Sequence, residues 1–238
     1  MALNKSISGI RGTIGGGIED NFNPLVIVKF TSAFATFIKN SFPDHKILIA
    51  IGRDSRISGA LVNHLVIGTL QSLGIDILDI DLTTMPTLEI AVTMAKAQGG
   101  IMISASHNPK NWNALKFINS LGEFLSASDW EKLLKIVGQN NYQFSSEESL
   151  GVYKKNISYI DEHIEKIIYA PLVDVEAIKK ADLRVAVDGI NSGGGVAIPA
   201  LLKALGVDKI EKINCEPSGI FAHNPEPLPG IMDDISKL

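Results

Sequence analysis

The chain has 238 residues, of which 45% are apolar and 20% are charged, and its formal net charge is −4 at pH 7. This composition is typical of a folded protein and excludes a disordered or fibrous one, while the negative net charge gives no field that would attract nucleic acid or an anionic membrane. No apolar run approaches the roughly 20 residues that cross a bilayer, the start lacks a secretory signal, and the single cysteine cannot form an internal disulfide, so we expect a soluble cytoplasmic protein.

Segments with strand and helix patterns alternate along the first part of the chain. Asn23-Pro24 precedes an apolar stripe at helical spacing that extends to Ile38. The pattern then predicts strands at 46–51, 75–80, 100–103 and 115–118, and helices that start at Ser58 and at Thr87. Such alternation is typical of an α/β fold with a mixed, mostly parallel sheet between layers of helices.

A polar stretch separates this unit from a second one. Ser126, with Asp129 three residues later, predicts the start of a further helix. The polar residues 139–148 follow that helix and break the pattern. We therefore predict a first domain at 1–152 and a second domain at 153–238.

The second unit has few predicted elements. The pattern predicts a helix at 157–169, a strand at 183–187, a helix at 196–205 and a strand at 209–213. Two strands are few for an independent core, so we expect this unit to be incomplete and to leave an exposed apolar face or sheet edge that favours self-association. Residues 216–238 are proline-rich and then weakly helical, and Asp233-Asp234 is interpreted as a solvated helix face rather than a metal site.

The loop Ser104–Pro109 carries the most functional information in the chain. It reads S-A-S-H-N-P and follows the apolar run at 100–103. The carboxyl ends of strands in open α/β sheets are where ligands bind, so Ser106 is the candidate catalytic residue.

Two kinds of chemistry are open to this serine. A hydrolytic serine usually lies in a G-x-S-x-G turn, which this loop does not match, and His107 as the immediate neighbour is expected to be poorly placed to take a proton from Ser106. A phosphoryl-carrying serine instead needs cations and donors around it. His107, Asn108, Lys110 and Lys116 can supply them.

Three further segments have both a ligand-binding and a structural interpretation. S-G-I-R-G-T at Ser8–Thr13 places Arg11 between glycines, which suits an anion but is also typical of a simple turn. In G-R-D-S-R-I-S-G at Gly52–Gly59, the structural interpretation of Arg53, Asp54 and Arg56 as an ion-pair cluster is favoured. The run Gly189–Gly195 matches no phosphate-binding motif, and a turn in which Asn191 or Ser192 caps a helix is expected.

In this order, the segments resemble the motifs of the α-D-phosphohexomutase family, which includes phosphoglucomutases, phosphomannomutases and phosphoglucosamine mutases. The matching pieces are S-G-I-R-G, G-R-D-S-R-I-S-G, S-A-S-H-N-P, N-A-L-K-F at 113–117, V-A-V-D-G-I-N-S-G-G-G at 185–195 and H-N-P-E-P-L at 223–228. Several ordered motifs are far more specific than one motif alone. The resemblance extends over essentially the whole chain, as domain one plus most of domain two of a four-domain family.

The resemblance implies a role for each matching residue. Ser106 corresponds to the phosphoserine that gives and takes the phosphoryl group, and His107 to a supporting histidine. Arg11 and Lys116 match family positions that surround the transferring phosphate or assist proton movement. Asn108 is expected to help bind phosphate. Mg²⁺ would bind the phosphate on Ser106, with aspartate ligands expected beyond residue 238. One departure is Ser104, where the family usually has threonine.

The implied reaction interconverts hexose 1- and 6-phosphates through a bisphosphate intermediate. The residues of the first two motifs resemble those of phosphoglucosamine mutases more than those of other members. One alternative is a phosphoglucomutase or phosphomannomutase, and another is a non-catalytic module that binds sugar phosphates. The metal loop and the sugar-recognition loops of the family are not among these residues, so we expect no turnover from residues 1–238 alone. Whether the chain is a fragment or the product of a truncated gene is left open.

Overall fold

A mixed β-sheet organises the first part of the protein. The structure is a computed structural model that describes residues 3–17, 21–228 and Ile235. In those residues the sheet has seven strands in the spatial order β1-β2-β6-β5-β3-β4-β7. They are β1 (Asn4–Ser6), β2 (Gly9–Thr13), β3 (Leu48–Arg53), β4 (Asp76–Leu82), β5 (Gly99–Ile103), β6 (Trp112–Asn119) and β7 (Tyr153–Lys155).

The direction of the strands changes across the sheet. Strands β5, β3, β4 and β7 run parallel to one another, whereas β6, β2 and β1 continue the sheet in antiparallel pairs. The predicted mixed α/β fold is confirmed. β6 is antiparallel to β5 because only eight residues connect the two strands, and a parallel connection needs a crossover of a dozen or more. Strands β1, β2 and β7 are not predicted from the sequence.

Helices cover both faces of the sheet. One face packs against α1 (Pro24–Ser41), α2 (Gly59–Ser72) and α4 (Ala127–Gln139), and the other packs against α3 (Met85–Met94) and α5 (Tyr159–Ile168). The alternation along β3 shows the two faces, since Ile49 and Ile51 lie in the first core while Ala50 lies in the second. In the described part of the chain, no helix has the length and apolarity needed to cross a membrane.

Side-chain caps explain where three helices begin. The Asn23 side chain accepts a hydrogen bond from the Val26 amide at 3.0 Å, which starts α1. Ser126 accepts from the Asp129 amide at 3.1 Å, which confirms the predicted start of α4. α3 begins at Met85, two residues before the predicted start, because Thr84 caps the helix.

The second unit adds three helices and a two-stranded parallel sheet to the described chain. After α5 come α6 (Val175–Lys180), β8 (Arg184–Asp188), α7 (Gly194–Ala204) and β9 (Lys209–Ile213). Helix α6 is not predicted from the sequence. The predicted boundary at 152/153 directly precedes β7, which pairs with β4 in the first sheet, and the division into two domains stays a prediction. Asp233-Asp234 lies outside the described residues.

The glycine-rich loop at 189–195 packs against the first unit. The Ser55 hydroxyl donates to the Asn191 carbonyl at 2.6 Å, and a Cβ at Gly193 would lie 2.7 Å from the Thr83 carbonyl oxygen. The expected cap of α7 by Asn191 or Ser192 is wrong, because Gly193 is the cap and makes no side-chain hydrogen bond. Asn191 donates instead to the Glu216 carbonyl. This loop therefore joins the two units.

Candidate active site

Several of the residues expected around a phosphoryl-carrying serine lie along one small cavity, which Asn108 and Lys110 do not line. Ser106 lies in the loop that connects β5 to β6, at the carboxyl end of β5. The cavity beside it has a volume of about 170 Å³. Four of the predicted site residues line it, together with two serines of the first β-hairpin: Arg11, Ser106, His107, Lys116, Ser6 and Ser8.

The backbone at Ser106 has an uncommon conformation. Its φ angle is +56°, in the left-handed region that non-glycine residues rarely occupy. The Ser106 amide donates to the Ser104 hydroxyl oxygen at 3.1 Å, and the Ser104 hydroxyl in turn donates to Asp54 Oδ2 at 2.7 Å. The side chain of Ser106 is exposed. The loop therefore presents this hydroxyl on a backbone that its neighbours hold in place.

The side chain of Arg56 binds the backbone of the same loop. Its side chain is 1% exposed and forms an ion pair with Asp54, with Nε 3.1 Å from Oδ2. The two Nη atoms donate to four backbone carbonyls of the loop and of the start of β6, those of Ser106, Asn108, Pro109 and Trp112, at 2.7 to 2.9 Å. The ion-pair interpretation is confirmed for Arg56 and Asp54, whereas Arg53 pairs with Asp81 at 2.7 Å.

Strands β2 and β6 carry the cationic side chains to the cavity. Arg11 on β2 pairs with Ala114 on β6, and Lys116 lies two residues further along β6. Arg11 Nη1 donates to the Asn108 side-chain oxygen at 3.3 Å. The sequence leaves both an anion site and a simple turn open for the segment of Arg11, and the structure places Arg11 in strand β2.

The Lys116 ammonium lies in a partly buried position. Burial lowers the pKa of Lys116, and the neighbouring charges of Arg11 and Arg56 lower it further. Asp54 and Glu89 act in the opposite direction without reversing the shift. A lysine with a lowered pKa can exchange a proton more readily near neutral pH than an exposed one.

His107 lies closer to the Ser106 hydroxyl than expected. Its Nδ1 is 3.4 Å from Ser106 Oγ, and its Nε2 is 3.5 Å from a carboxylate oxygen of Glu226. The expectation that an immediate neighbour is poorly placed is wrong, since the two side chains lie within hydrogen-bond distance of each other. Glu226 is the residue that sequence reasoning missed at this point, although it belongs to the H-N-P-E-P-L segment.

The described residues around Ser106 do not form a metal site. Nowhere in the described chain do three histidine, cysteine or carboxylate side chains cluster as metal ligands. Both carboxylate oxygens of Asp54 already accept hydrogen bonds. Oδ1 accepts from the Arg56 amide, and Oδ2 accepts from Arg56 Nε and from the Ser104 hydroxyl. These side chains alone do not fit Mg²⁺.

Comparison with known proteins gives two family matches along the chain. Residues 4–144 match the phosphoglucomutase/phosphomannomutase α/β/α domain I, and residues 159–238 match the α/β/α domain II of the same group. Together they cover most of the chain.

Curated relatives and solved structures agree with these matches. A phosphoglucomutase/phosphomannomutase of Thermococcus kodakarensis is 32% identical over 234 residues, which are 95% of this chain and 50% of that protein. A phosphoglucosamine/phosphogalactosamine mutase of Sulfurisphaera tokodaii is 31% identical over 222 residues, 92% of this chain and 46% of that protein. This chain spans about half the length of the curated relatives it matches.

The fold is shared with solved structures at low sequence identity. A crystal structure from Thermus thermophilus has a TM-score of 0.80 at 21% identity and covers 97% of this chain and 50% of that one. A phosphoglucomutase/phosphomannomutase family protein from Burkholderia thailandensis has a TM-score of 0.68 at 20% identity, over 89% of this chain and 44% of that one.

Proposed function

Because this chain belongs to the phosphoglucomutase/phosphomannomutase family, we propose that it is the phosphoryl-carrying part of a phosphohexomutase, with Ser106 as the carrier. The observation that carries the proposal is the arrangement around Ser106. An exposed hydroxyl lies at a strand end, in a cavity lined by Arg11, His107 and Lys116. Three side chains that can be cationic suit a phosphorylated serine better than they suit an acyl intermediate.

The proposed reaction consists of two phosphoryl transfers, the first from Ser106 to the sugar and the second from the sugar to Ser106. The free hydroxyl of a hexose 1- or 6-phosphate attacks the phosphorus on Ser106, so that a new O–P bond forms as the Ser106 Oγ–P bond breaks. The proton of that hydroxyl passes to a base, for which the lowered pKa of Lys116 makes its neutral amine a candidate. The bisphosphate then reorients, its other phosphoryl group returns to Ser106 Oγ, and the released sugar oxygen takes up a proton.

The other site residues bind and orient the phosphoryl group. Arg11 can bind phosphate oxygens with two N–H groups, and its bond to Asn108 keeps the guanidinium beside the loop. The imidazole of His107 is near Ser106 Oγ and can donate to a phosphate oxygen when protonated. We propose Mg²⁺ as the cation that would neutralise charge in the transfer, although the described carboxylates do not supply its ligands.

Glucosamine phosphate is the proposed substrate, with glucose or mannose phosphate as the alternative. The S-G-I-R-G and G-R-D-S-R-I-S-G segments favour it, and curated relatives carry both kinds of name. Because the chain spans about half the length of those relatives, we propose that residues 1–238 carry the phosphoryl group but do not complete the mutase cycle alone. A cytoplasmic location follows from this metabolic role and is likewise proposed.

Intact-mass measurement tests the carrier role. The purified chain is incubated with hexose 1,6-bisphosphate and Mg²⁺, then treated with phosphatase. We expect a mass gain of one phosphoryl group, located on the 104–110 peptide, which phosphatase removes and Ser106→Ala abolishes. Phosphate on another serine, or retention of the gain in Ser106→Ala, would contradict the proposal.

Two other outcomes would favour different functions. An acyl adduct on Ser106 after treatment with an ester substrate would indicate a hydrolase. Binding of hexose phosphate with no phosphorylation of Ser106 would indicate a non-catalytic binding module.

A further inference from the structure

We propose that Arg56 is a positioning residue for phosphoryl transfer, whose guanidinium holds Ser106 in its left-handed conformation so that Oγ faces the cavity. The proposal deepens the proposed function, on which it rests for the identity of the positioned group. Arg56 does not line the cavity described above, and it acts through the backbone of the serine loop.

All donors of the guanidinium have partners. Nε bonds to Asp54, Nη1 donates to the carbonyls of Pro109 and Trp112 at 2.7 and 2.9 Å, and Nη2 donates to those of Ser106 and Asn108 at 2.8 and 2.7 Å. Guanidinium carries five N–H groups in a rigid plane, so one side chain satisfies four carbonyls whose relative positions it thereby fixes. An ammonium group has three donors on a flexible stem and cannot reproduce that pattern.

The cost of burying Arg56 indicates that these contacts are more than filling of the core. A buried charge is unfavourable unless it is paired and hydrogen-bonded, and an apolar side chain of similar size often stabilises a core as well or better. Here Asp54 supplies one carboxylate, and the remaining partners are three carbonyls of the loop between β5 and β6 and the carbonyl of Trp112 at the start of β6. The burial therefore serves the conformation of the loop.

The pair Asp54–Arg56 holds Ser106 from both sides. On the amide side, Asp54 accepts from the Ser104 hydroxyl, which accepts from the Ser106 N–H. On the carbonyl side, Arg56 donates to the Ser106 oxygen. A left-handed φ at a non-glycine residue persists where the surroundings over-determine it, and these two connections provide that constraint at Ser106.

A residue of the second unit covers the guanidinium. The ring of Phe221 lies 5.1 Å from the Arg56 carbon Cζ, at cation–π distance. We call Asp54, Arg56 and Ser104 the clamp, because together they hold both sides of Ser106. Phe221 follows Gly219, which packs on the Ser55 carbonyl, so the second unit shields the clamp from water. Shielding strengthens the hydrogen bonds of Arg56 to the loop.

Hydrogen exchange of the serine loop in two matched variants tests the proposal. Arg56→Lys keeps the charge but loses most of the carbonyl bonds, whereas Arg53→Lys changes an arginine three residues away that pairs with Asp81 and does not bond to the loop. Loss of even one charge-assisted hydrogen bond corresponds to about a tenfold change. We expect exchange of the 104–112 amides to be at least about tenfold faster in Arg56→Lys and unchanged in Arg53→Lys.

The rate at which hexose 1,6-bisphosphate phosphorylates Ser106 separates positioning from folding. In Arg56→Lys we expect the maximal rate to fall by about tenfold or more while the half-saturating concentration stays within about twofold, because Arg56 holds the serine rather than the sugar. Wild-type exchange in the loop, or a maximal rate equal to that of Arg53→Lys, would overturn the proposal.

Two further readouts keep the result decisive. If Arg56→Lys exchanges fast in β3 and α1 as well, it is globally unfolded, and Asp54→Asn replaces it as the variant, since it removes the charge that pairs with the guanidinium and accepts from the Ser104 hydroxyl. Unchanged loop exchange in Asp54→Asn would then reject the clamp. If Arg56→Lys accelerates exchange in the loop but Ser106 is never phosphorylated even in the wild type, the clamp stands and the proposed function fails.

Discussion

Lys116 illustrates how one residue acquires its chemistry from its surroundings. It lies on β6, opposite Met102 of β5, and reaches the cavity beside Ser106 from within the sheet. Burial and two neighbouring arginines lower its pKa, so the neutral amine becomes available at lower pH than for an exposed lysine. Only the neutral amine can accept the proton of an attacking hydroxyl.

Replacement of Lys116 by arginine tests this role. We expect the rate of phosphoryl transfer between Ser106 and hexose phosphates in the wild type to rise with pH toward the lowered pKa of Lys116. In Lys116→Arg the rate should fall by about 100-fold and lose this rise, because arginine stays protonated. Intact-mass rates between about pH 6 and pH 9 measure both effects.

Lys110 provides the control for this experiment. It is exposed in the loop between β5 and β6, so Lys110→Arg should keep the wild-type rate and pH profile. A Lys116→Arg protein with an unchanged profile would show that Lys116 does not move the proton.

For single residues, the sequence predicts positions better than it predicts contacts. The location of Ser106 just beyond the end of a strand could be predicted, because the residue follows an apolar run. The role of Arg56 could not, since its loop partners are backbone carbonyls about 50 residues away, which no residue pattern encodes. The short distance between His107 Nδ1 and Ser106 Oγ, and the left-handed φ angle of Ser106, likewise could not be predicted from the sequence.

At the level of elements, caps and apolar periodicity predicted the longer helices and the buried strands. Three short strands were not predicted, because their sequences lack an apolar periodicity. β2 contains two glycines in five residues, and β1 and β7 have three residues each. Their positions depend on pairing with distant strands, β2 with β6 and β7 with β4. The strand that carries Arg11 was therefore found only in the structure.

The contact between the two units depends on a glycine. Gly219 has a φ of +72°, and a Cβ there would lie 2.0 Å from the Ser55 carbonyl oxygen. Gly219→Ala should therefore lower the free energy of unfolding by about 1–3 kcal/mol, because it adds both backbone strain and a steric overlap. Urea unfolding followed by tryptophan fluorescence measures the change.

Gly68 is the matched control for the glycine substitution. It lies on the exposed face of α2, and no atom lies within 4 Å of a Cβ built there. Gly68→Ala should raise the free energy of unfolding by about 0.5–1 kcal/mol, since alanine favours a helix. Equal effects of the two substitutions would contradict the close contact at Gly219.

Considered as a whole, the molecule has one well-covered unit and one sparse one. In the described residues the second sheet consists of β8 and β9 alone, and apolar side chains of the second unit are exposed, including Leu172, Leu183 and Ile198. Exposed sheet edges and apolar patches promote pairing with other chains.

We therefore predict that the chain self-associates. Sedimentation velocity over a range of protein concentrations should show an average mass that rises above that of the monomer. Leu183→Lys, beside the edge of β8, should reduce the association because a lysine at a sheet edge opposes pairing. A monomer at every concentration would reject the prediction.

The residues that hold Ser106 also have an order along the chain. Asp54, Arg56 and Ser104 all precede or closely adjoin the loop, and the last carbonyl bound by Arg56 belongs to Trp112. Phe221 and Glu226, by contrast, come more than a hundred residues later. Since domains generally fold from the N-terminal end during synthesis, the ribosome delivers every part of the clamp before it has made the segment that covers it.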